Sequence, residues 1–158
     1  MSNIRIVTDS AVALTPEEIQ KYEITVVPLT VQIDGVVYED GVTLQREAFL
    51  EQMAVSQNLP QTSQPSIGKF QAAYEDIRTH YPDAEILSIH LSSGLSGTVH
   101  AAEQAAALTS AEITTFDTLN ADRSQAFQVL VAAKMAQSGA KMSDILTELE
   151  QVRQESHT

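Results

Sequence analysis

The sequence contains no cysteine among its 158 residues. This excludes a disulfide framework and a thiolate metal site, and it fits a protein of the reducing cytoplasm. Basic residues are also scarce: 9 Lys and Arg stand against 21 Asp and Glu, and the formal net charge is -12. Such a chain repels phosphate backbones and anionic lipid surfaces, so we expect no nucleic-acid partner. An anionic ligand would have to be held by local neutral donors rather than by a basic patch.

Long apolar runs are missing as well, and none is long enough to cross a membrane. The first residues lack the apolar core of a signal peptide, so we expect a cytoplasmic protein. Apolar side chains nevertheless make up 43% of the chain, which is enough for a folded core. A length of 158 residues corresponds to one ordinary domain, and we expect residues 1–158 to form a single unit.

Short apolar segments alternate with helical patterns along the chain. Residues 4–8, 86–91 and 112–116 have the composition of buried strands, and each precedes a segment with helical periodicity. This alternation predicts an α/β fold, in which helices cover a mainly parallel sheet whose strand ends share one edge. Residues 24–33 are also rich in β-branched side chains and lead into an Asp-Gly turn, which predicts a small β-hairpin. Pro28 within them indicates a sheet edge or a bend.

Helix ends and helix faces can also be predicted from local pattern. Thr15 and Glu18 have the spacing of a capping box at the start of a short helix. Ser143 stands where it would cap the last helix. Residues 46–55 have the spacing of a helix that carries Leu50 on its apolar face.

The strand at residues 86–91 runs into a cluster of hydroxyls and glycines at residues 92–98, Ser-Ser-Gly-Leu-Ser-Gly-Thr. Backbone N–H groups at a helix start, glycines that permit close approach and several hydroxyls suit a phosphate or a carboxylate. Two familiar motifs do not fit, because a P-loop requires a lysine and a nucleophile elbow requires Gly where Thr98 stands. From these residues alone, an anion site and a plain strand-to-helix turn with capping hydroxyls both stay open.

A second hydroxyl-rich segment precedes another helix at residues 59–66, where it reads Leu-Pro-Gln-Thr-Ser-Gln-Pro-Ser; we interpret it as a loop. Together with residues 92–98 and the Val-Thr-Asp-Ser of residues 7–10, it closely resembles the DegV family. The similarity also runs through residues 26–29 and 40–42, and it covers most of the chain.

The resemblance implies a function. DegV proteins are fatty-acid-binding proteins that serve bacterial fatty acid kinase. It therefore implies a lipid carrier that binds a long-chain fatty acid, presents it to the kinase and does no chemistry itself. A threonine and a serine of the two motifs hydrogen-bond the fatty acid carboxylate in the family, which gives these roles to Thr62 and Ser93, with Gly94 beside them. The supporting loop residues would be Ser10, Ser63, Ser92, Ser96, Gly97 and Thr98. We expect no cofactor and no metal, with the fatty acid as the only ligand.

Family members are usually longer than this chain. Their C-terminal domain closes over the acyl chain, adds a histidine to the carboxylate site and presents basic residues to the kinase. This chain stops after the helix that would lead into that domain, so the resemblance is to the N-terminal domain only. An excised domain, a natural truncation and one half of an assembly are the alternatives, and a monomer and a homo-oligomer both fit the sequence. Residues 117–125 also depart from the family's small-residue and glycine pattern.

Several other polar residues have plainer interpretations. Asp9 is expected to orient hydroxyls or backbone, because a carboxylate would repel a carboxylate ligand. His90 is expected to be a hydrogen-bonded core residue rather than a catalyst. His80, His100 and His157 lack the spacing and partners of a metal site.

Two other classes of function stay open. A serine hydrolase or a phosphotransfer domain would use His90 or Ser93, and a hydrolase needs a base within hydrogen-bond reach of its serine and an orienting acid. Alternation along the strand is expected to point His90 away from that role. The third reading is a purely structural or regulatory domain. The apolar stripe that begins at Ile67 and recurs at helical spacing to Tyr81 predicts a core face, with an acyl-channel lining as the alternative.

Overall fold

The structure is a computed structural model, and it describes residues 3–156. Seven strands and six helices follow one another within this range. The strands are β1 (Ile4–Asp9), β2 (Thr25–Val27), β3 (Thr30–Ile33), β4 (Val36–Glu39), β5 (Gln61–Ser63), β6 (Glu85–His90) and β7 (Ile113–Asp117). The helices are α1 (Pro16–Lys21), α2 (Arg46–Val55), α3 (Ile67–His80), α4 (Thr98–Ala107), α5 (Asp122–Gln137) and α6 (Met142–Glu155).

The predicted α/β fold is confirmed. Four strands form a parallel sheet in the order β2-β1-β6-β7. Successive side chains of a strand point to opposite faces, and neighbouring apolar residues therefore serve different layers. Leu87 packs with the core under α5 and α6, whereas its neighbour Ile86 packs with the core under α3 and α4. Helices therefore cover both faces of the sheet, which gives a three-layer arrangement. Buried alanines of α4 and α5 let these helices approach the sheet closely.

A second, antiparallel sheet stands beside the first in the order β4-β3-β5. Its β3–β4 hairpin turns at Asp34 and Gly35, which both adopt left-handed backbone angles (φ 50° and 82°), as a tight hairpin turn requires. Pro28 separates β2, at the edge of the parallel sheet, from β3 in the small sheet, so the predicted edge or bend is confirmed. The interpretation of residues 59–66 as a loop is wrong in part, because Gln61–Ser63 add a third strand and Thr62 pairs with Val31.

Local predictions about helices had mixed outcomes. The capping box of α1 is confirmed, with hydrogen bonds of 3.1 Å from Glu18 N–H to Thr15 Oγ1 and 3.0 Å from Thr15 N–H to the Glu18 carboxylate. The cap at Ser143 is wrong: α6 begins at Met142, so Lys141, two residues before Ser143, takes the capping position without a side-chain bond. Leu50 is also exposed rather than inward. The apolar stripe of α3 is core at Phe70, Tyr74 and Ile77, whereas Tyr81 follows the last residue of the helix and is exposed.

The packing of α6 onto the sheet gives a first testable prediction. Leu149 is fully buried in the core, whereas Leu50 of α2 is 57% exposed. Leu149→Ala should therefore lower the free energy of unfolding by about 2–5 kcal/mol, through lost burial and a residual cavity. The matched change Leu50→Ala should alter it by no more than about 0.5 kcal/mol. Urea denaturation followed by circular dichroism measures both, and equal losses would contradict the assignment of α6 to the core.

Candidate functional site

Three neighbouring strands of the parallel sheet end at the same edge, as the sequence predicts. β1 ends at Asp9, β6 at His90 and β7 at Asp117, and His90 lies directly opposite Asp117 in the strand register. The loops that leave these strands carry most of the residues expected to form a site. Because the edge is built by adjacent parallel strands, residues far apart in sequence come together there.

The carboxylate of Asp9 is the fixed point of this edge, and it is completely buried. One oxygen accepts hydrogen bonds from the Ala11 N–H (3.0 Å) and the Gln125 side-chain amide (3.2 Å). The other oxygen accepts from His90 Nδ1 (2.9 Å) and the Leu91 N–H (3.1 Å). A buried carboxylate requires such donors, since burial without them is very costly. Asp9 therefore orients the backbone that follows β1 and β6 and the side chains of His90 and Gln125, as expected from the sequence.

His90 continues the network into the core. Its Nε2 lies 2.6 Å from Ser88 Oγ, and Ser88 Oγ lies 2.7 Å from the Tyr74 hydroxyl. Together with the Asp9 contact, these hydrogen bonds join four side chains, Asp9, His90, Ser88 and Tyr74, into one buried chain. Because a carboxylate can only accept, Nδ1 of His90 donates to Asp9.

The Asp9–His90–Ser88 arrangement has the connectivity of a hydrolase triad but not its accessibility. All three side chains are fully buried, and the Ser88 hydroxyl is held between His90 and Tyr74. A nucleophile must reach its substrate, and this one lies inside the core. The prediction that His90 is a hydrogen-bonded core residue is confirmed, and its ring bonds Ser88 rather than Ser93.

The buried network predicts a loss of stability at alkaline pH. Burial raises the pKa of Tyr74 to about 12, whereas an unfolded tyrosine titrates near 10. Between these values the unfolded chain loses a proton that the folded chain keeps, so the free energy of unfolding falls as pH rises from about 10 towards 12. The loss from this group should approach about 2–3 kcal/mol. Chemical denaturation at pH 9 and pH 11.5 measures it, and Tyr74→Phe should show a smaller alkaline loss than the wild type. Equal losses would contradict the assignment to Tyr74.

The loop at residues 92–98 differs in one respect from its predicted role. Its backbone N–H groups were expected to face a ligand, but most of them are bonded inside the protein. Gly94 N–H donates to Ser92 Oγ (3.1 Å), Leu95 N–H to the Ser92 carbonyl (2.9 Å) and Thr98 N–H to Ser96 Oγ (3.2 Å). In this conformation the loop therefore offers hydroxyls rather than N–H groups. Gly94 is held in a local turn.

Ser93 is tied to the neighbouring strand end. Its N–H donates to both carboxylate oxygens of Asp117, at 3.3 Å each, and the same carboxylate accepts from the Leu119 N–H at 2.9 Å. Ser92 N–H bonds the Asn120 carbonyl at 2.8 Å. Hydrogen bonds thus join the loop that follows β6 to the loop that follows β7. The Ser93 hydroxyl itself has no hydrogen-bond partner in the described part of the chain.

Thr62 faces the space between the small sheet and this edge, where it lines two clefts. The first, of about 450 Å³, lies between the β5 segment and the 92–98 loop. Its lining comprises Leu29, Thr62, Ser63, Gln64, Leu91, Leu95, Ser96 and Gly97. The second, of about 540 Å³, brings Thr62 together with Ser10 and the residues that follow it, and Arg46 and Phe49 line its far side. Ser93 does not line either cleft. It lies three residues before Ser96 on the loop that closes the first.

Other hydroxyls near this edge are hydrogen-bonded within the protein. The Ser10 hydroxyl accepts the Leu29 N–H at 2.9 Å, which links the end of β1 to the start of the small sheet. Thr98 is buried, and its hydroxyl lies 2.7 Å from Ser96 Oγ. Ser66 caps α3 by accepting the Lys69 N–H at 3.1 Å.

The other histidines do not join the site. His80 and His100 lie exposed on α3 and α4, and His157 falls outside the described residues. Within residues 3–156, no group of three or more acidic or histidine side chains has the arrangement of a metal site. No helix in that range is both long and apolar enough to cross a membrane.

Two residues of this edge escape prediction from sequence. Gln125 reaches from α5 to bond both Asp9 and Thr8, and Gln64 lies in the first cleft. The only local signal for Gln125 is a polar residue on the inner face of an otherwise apolar helix. Gln64 stands inside the quoted motif, but no pattern separates it from its neighbours.

The fold and the site together define an α/β domain with a hydroxyl-lined cleft at the carboxyl edge of its parallel sheet. Its sequence matches the model of the DegV family, described as a family of uncharacterised proteins, over residues 3–158. The chain belongs to the DegV family.

Individual relatives support this assignment. A DegV domain-containing protein of Streptococcus pneumoniae is 46% identical over 158 residues, which is 100% of this chain and 55% of the relative. Among solved structures, DegV of Bacillus subtilis, described as a fatty acid binding protein, superposes with a TM-score of 0.91 at 33% identity. A DegV family protein of Thermus thermophilus, described by its fatty acid binding, gives 0.85 at 34%. Each match covers 98% of this chain and 55% or 54% of the solved chain, so the chain spans about half the length of these relatives.

Proposed function

We propose that this chain binds a long-chain fatty acid by its carboxylate and acts as a carrier, not as an enzyme. Thr62 and Ser93 are the proposed hydrogen-bond donors to the carboxylate. The observation that carries the proposal is the first cleft, which Thr62 lines from the small sheet and which the Ser93-bearing loop closes from the main sheet. Neither hydroxyl has a partner within residues 3–156, so both are available to an acceptor.

The charge of the site supports a hydroxyl-based mode of binding. No lysine or arginine lines the first cleft, and the chain carries a net charge of -12. A neutral hydroxyl still binds a carboxylate firmly, because a hydrogen bond to a charged acceptor is stronger than one between neutral groups. Asp117 beside Ser93 opposes an anion at close range. Strong binding therefore has to come from burial of the acyl tail as well as from the carboxylate.

The relatives add independent support. Two solved structures with 33% and 34% identity to this chain are described as fatty acid binding, and their folds match over 98% of it. These relatives are nearly twice as long as the region matched. We propose that presentation of the bound acid to a fatty acid kinase, for phosphorylation to an acyl phosphate, belongs to the longer protein. The support for the kinase is the family resemblance of the two motifs.

The competing hydrolase has one structural argument in its favour, the Asp9–His90–Ser88 network, and a stronger one against it. The network is buried and its serine is held by Tyr74. The exposed Ser93 has no histidine bonded to it in the described residues. A carrier needs only the hydroxyls, and no proton transfer, to bind its ligand.

The carboxylate site predicts the effect of removing its hydroxyls. Thr62→Ala and Ser93→Ala should each weaken fatty acid binding by about 1–3 kcal/mol, since each loses one bond to a charged acceptor. The double variant should lose less than the sum, because the two hydroxyls share one ligand group. Palmitate binding, measured by calorimetry or by displacement of a fluorescent fatty acid, tests this.

Ser143→Ala serves as the control, since this exposed serine lies on α6, away from the cleft. Thermal unfolding should be nearly unchanged in Thr62→Ala and Ser93→Ala, because both positions are exposed. Undiminished palmitate binding by the double variant would remove the main support for the proposed site. Mass spectrometry of lipid extracted from the purified protein identifies the bound acid directly.

The carrier proposal also predicts no hydrolysis of short acyl esters. Ser88 cannot be reached by substrate, and Ser93 lacks a bonded base, so neither serine has both requirements of a nucleophile. p-Nitrophenyl butyrate should be cleaved at the rate of buffer alone. Turnover that disappears in Ser93→Ala or Ser88→Ala, with the fold retained by circular dichroism, would move the protein to the enzyme class.

A further inference from the structure

Gln64 is a polar side chain of the first cleft that none of the assigned roles uses. It follows β5 directly and lies two residues beyond Thr62. Its carboxamide reaches across to the 92–98 loop and rests against Gly97. A Cβ atom built on Gly97 would collide with the Gln64 side-chain oxygen and its amide carbon. The space that this carboxamide fills therefore exists because residue 97 has no side chain.

The backbone of Gly97 does not by itself require glycine, since its φ of -79° is open to any residue. A side chain at this position would instead meet the end of Gln64, which would have to move aside. The structure places the Gln64 amide against this glycine, on the loop where the sequence predicts the close approach of a ligand.

The carboxamide has unused hydrogen-bonding capacity. None of its atoms has a hydrogen-bond partner in residues 3–156, although an amide NH2 can donate twice. Thr62, Ser63 and Ser96 line the same cleft. Most loop N–H groups are already hydrogen-bonded, and no basic side chain lines this cleft. A carboxylate has more acceptor positions than two hydroxyls can fill, so a further neutral donor beside Thr62 would stabilise it.

We propose that Gln64 is a third carboxylate-binding residue, which donates its side-chain N–H to the ligand head group, and that Gly97 makes the room for it. This inference rests on the proposed function and names a specificity residue of the same cleft. The amide favours an anionic or otherwise accepting head group over a purely apolar one. It also joins the Thr62 segment to the Ser93 loop through one side chain.

The isosteric change Gln64→Glu distinguishes a hydrogen-bond donor at this position from a side chain that only fills the space beside Gly97. Glutamate keeps the length and shape that would rest on Gly97, but it removes the NH2 group and adds a negative charge beside the head group. A purely structural wedge would be preserved by this change, whereas a donor would be lost. Gln61→Glu is the matched control, because it adds the same charge on β5 at a residue that lines neither cleft.

The experiment is a titration of the full chain with octanoate and with 1-octanol, followed by amide chemical shifts of the labelled protein. Octanoate binding should weaken about 10-fold or more in Gln64→Ala, from loss of a bond to a charged acceptor, and further in Gln64→Glu. Octanol, which has the same tail and no charge, should be affected much less. Gln61→Glu should bind octanoate within about 2-fold of the wild type.

Gly97→Ala provides a second route to the same question. The added methyl should displace Gln64 and weaken octanoate binding in the wild-type background. In a Gln64→Ala background it should have no further effect, since there is no longer a carboxamide to displace. Circular dichroism should show an intact fold in each variant, because only the end of a flexible side chain has to move.

The outcomes distinguish this inference from the proposed function. If octanoate binds the wild type and Thr62→Ala weakens it, but Gln64→Glu binds as the wild type does, the role of Gln64 is overturned and the carboxylate site stands. If octanoate produces no saturable shifts at Thr62 or Ser93 in the wild type, the proposed function itself fails. Additive losses from Gly97→Ala and Gln64→Ala would overturn the proposal that Gly97 acts through Gln64.

Discussion

The site depends on the buried carboxylate of Asp9 and its four hydrogen bonds. One group at the end of β1 fixes the backbone that follows β1, the backbone that follows β6 and a side chain of α5. A carboxylate buried without such donors would destabilise the fold by several kcal/mol, so its presence makes the three elements mutually dependent. The cleft loops are thus positioned from the core side rather than by contacts at the surface.

The same buried carboxylate belongs to the triad-like arrangement of Asp9, His90 and Ser88, whose serine is not accessible to a substrate. The carboxylate of Asp9 accepts from His90 Nδ1, and Ser88 and Tyr74 continue the chain of hydrogen bonds from Nε2 into the core. Each side chain in the chain is hydrogen-bonded to the next, and Phe70 packs its ring edge-on to His90 at a centroid distance of 5.1 Å. A hydrogen-bonded network that is buried in the core is rigid. The network fixes the end of β6 at His90, and the 92–98 loop follows shortly after it.

Much of this fold follows from the sequence because its signals are local. The β-branched strands, the capping box at Thr15 and the Asp34-Gly35 turn each depend on residues close in sequence, and each is found where the pattern predicts it. The strand ends could be grouped because parallel topology leaves few choices. The short strand β5 could not be predicted, since its pairing with β3 spans some thirty residues and its own composition is polar.

The hydroxyl-rich lining of the candidate cleft could be predicted from the sequence, but the hydrogen bonds within it could not. Two motifs rich in hydroxyls locate the cleft, whereas sequence cannot tell whether an N–H group is already occupied. The bond from Ser93 to Asp117 and the reach of Gln125 to Asp9 join residues 24 and 116 positions apart. The predictions for Leu50 and Ser143 are wrong for a related reason, because both rest on local pattern alone. Tertiary packing leaves Leu50 exposed, and α6 begins before Ser143.

On the proposed function, an acidic protein binds an acid, and neutral dipoles have to offset the repulsion between the two negative charges. Here the cleft excludes lysine and arginine, occupies most loop N–H groups and leaves hydroxyls and one carboxamide at its surface. Neutral donors bind a carboxylate without creating a general anion trap, so phosphate-rich molecules gain little from the long-range field of the protein. Selectivity would then depend on the acyl tail, whose burial contributes about 0.8 kcal/mol per methylene. In the proposed carrier, neutral donors would orient the head group while burial of the acyl tail supplies most of the affinity, an arrangement that allows the ligand to be released again.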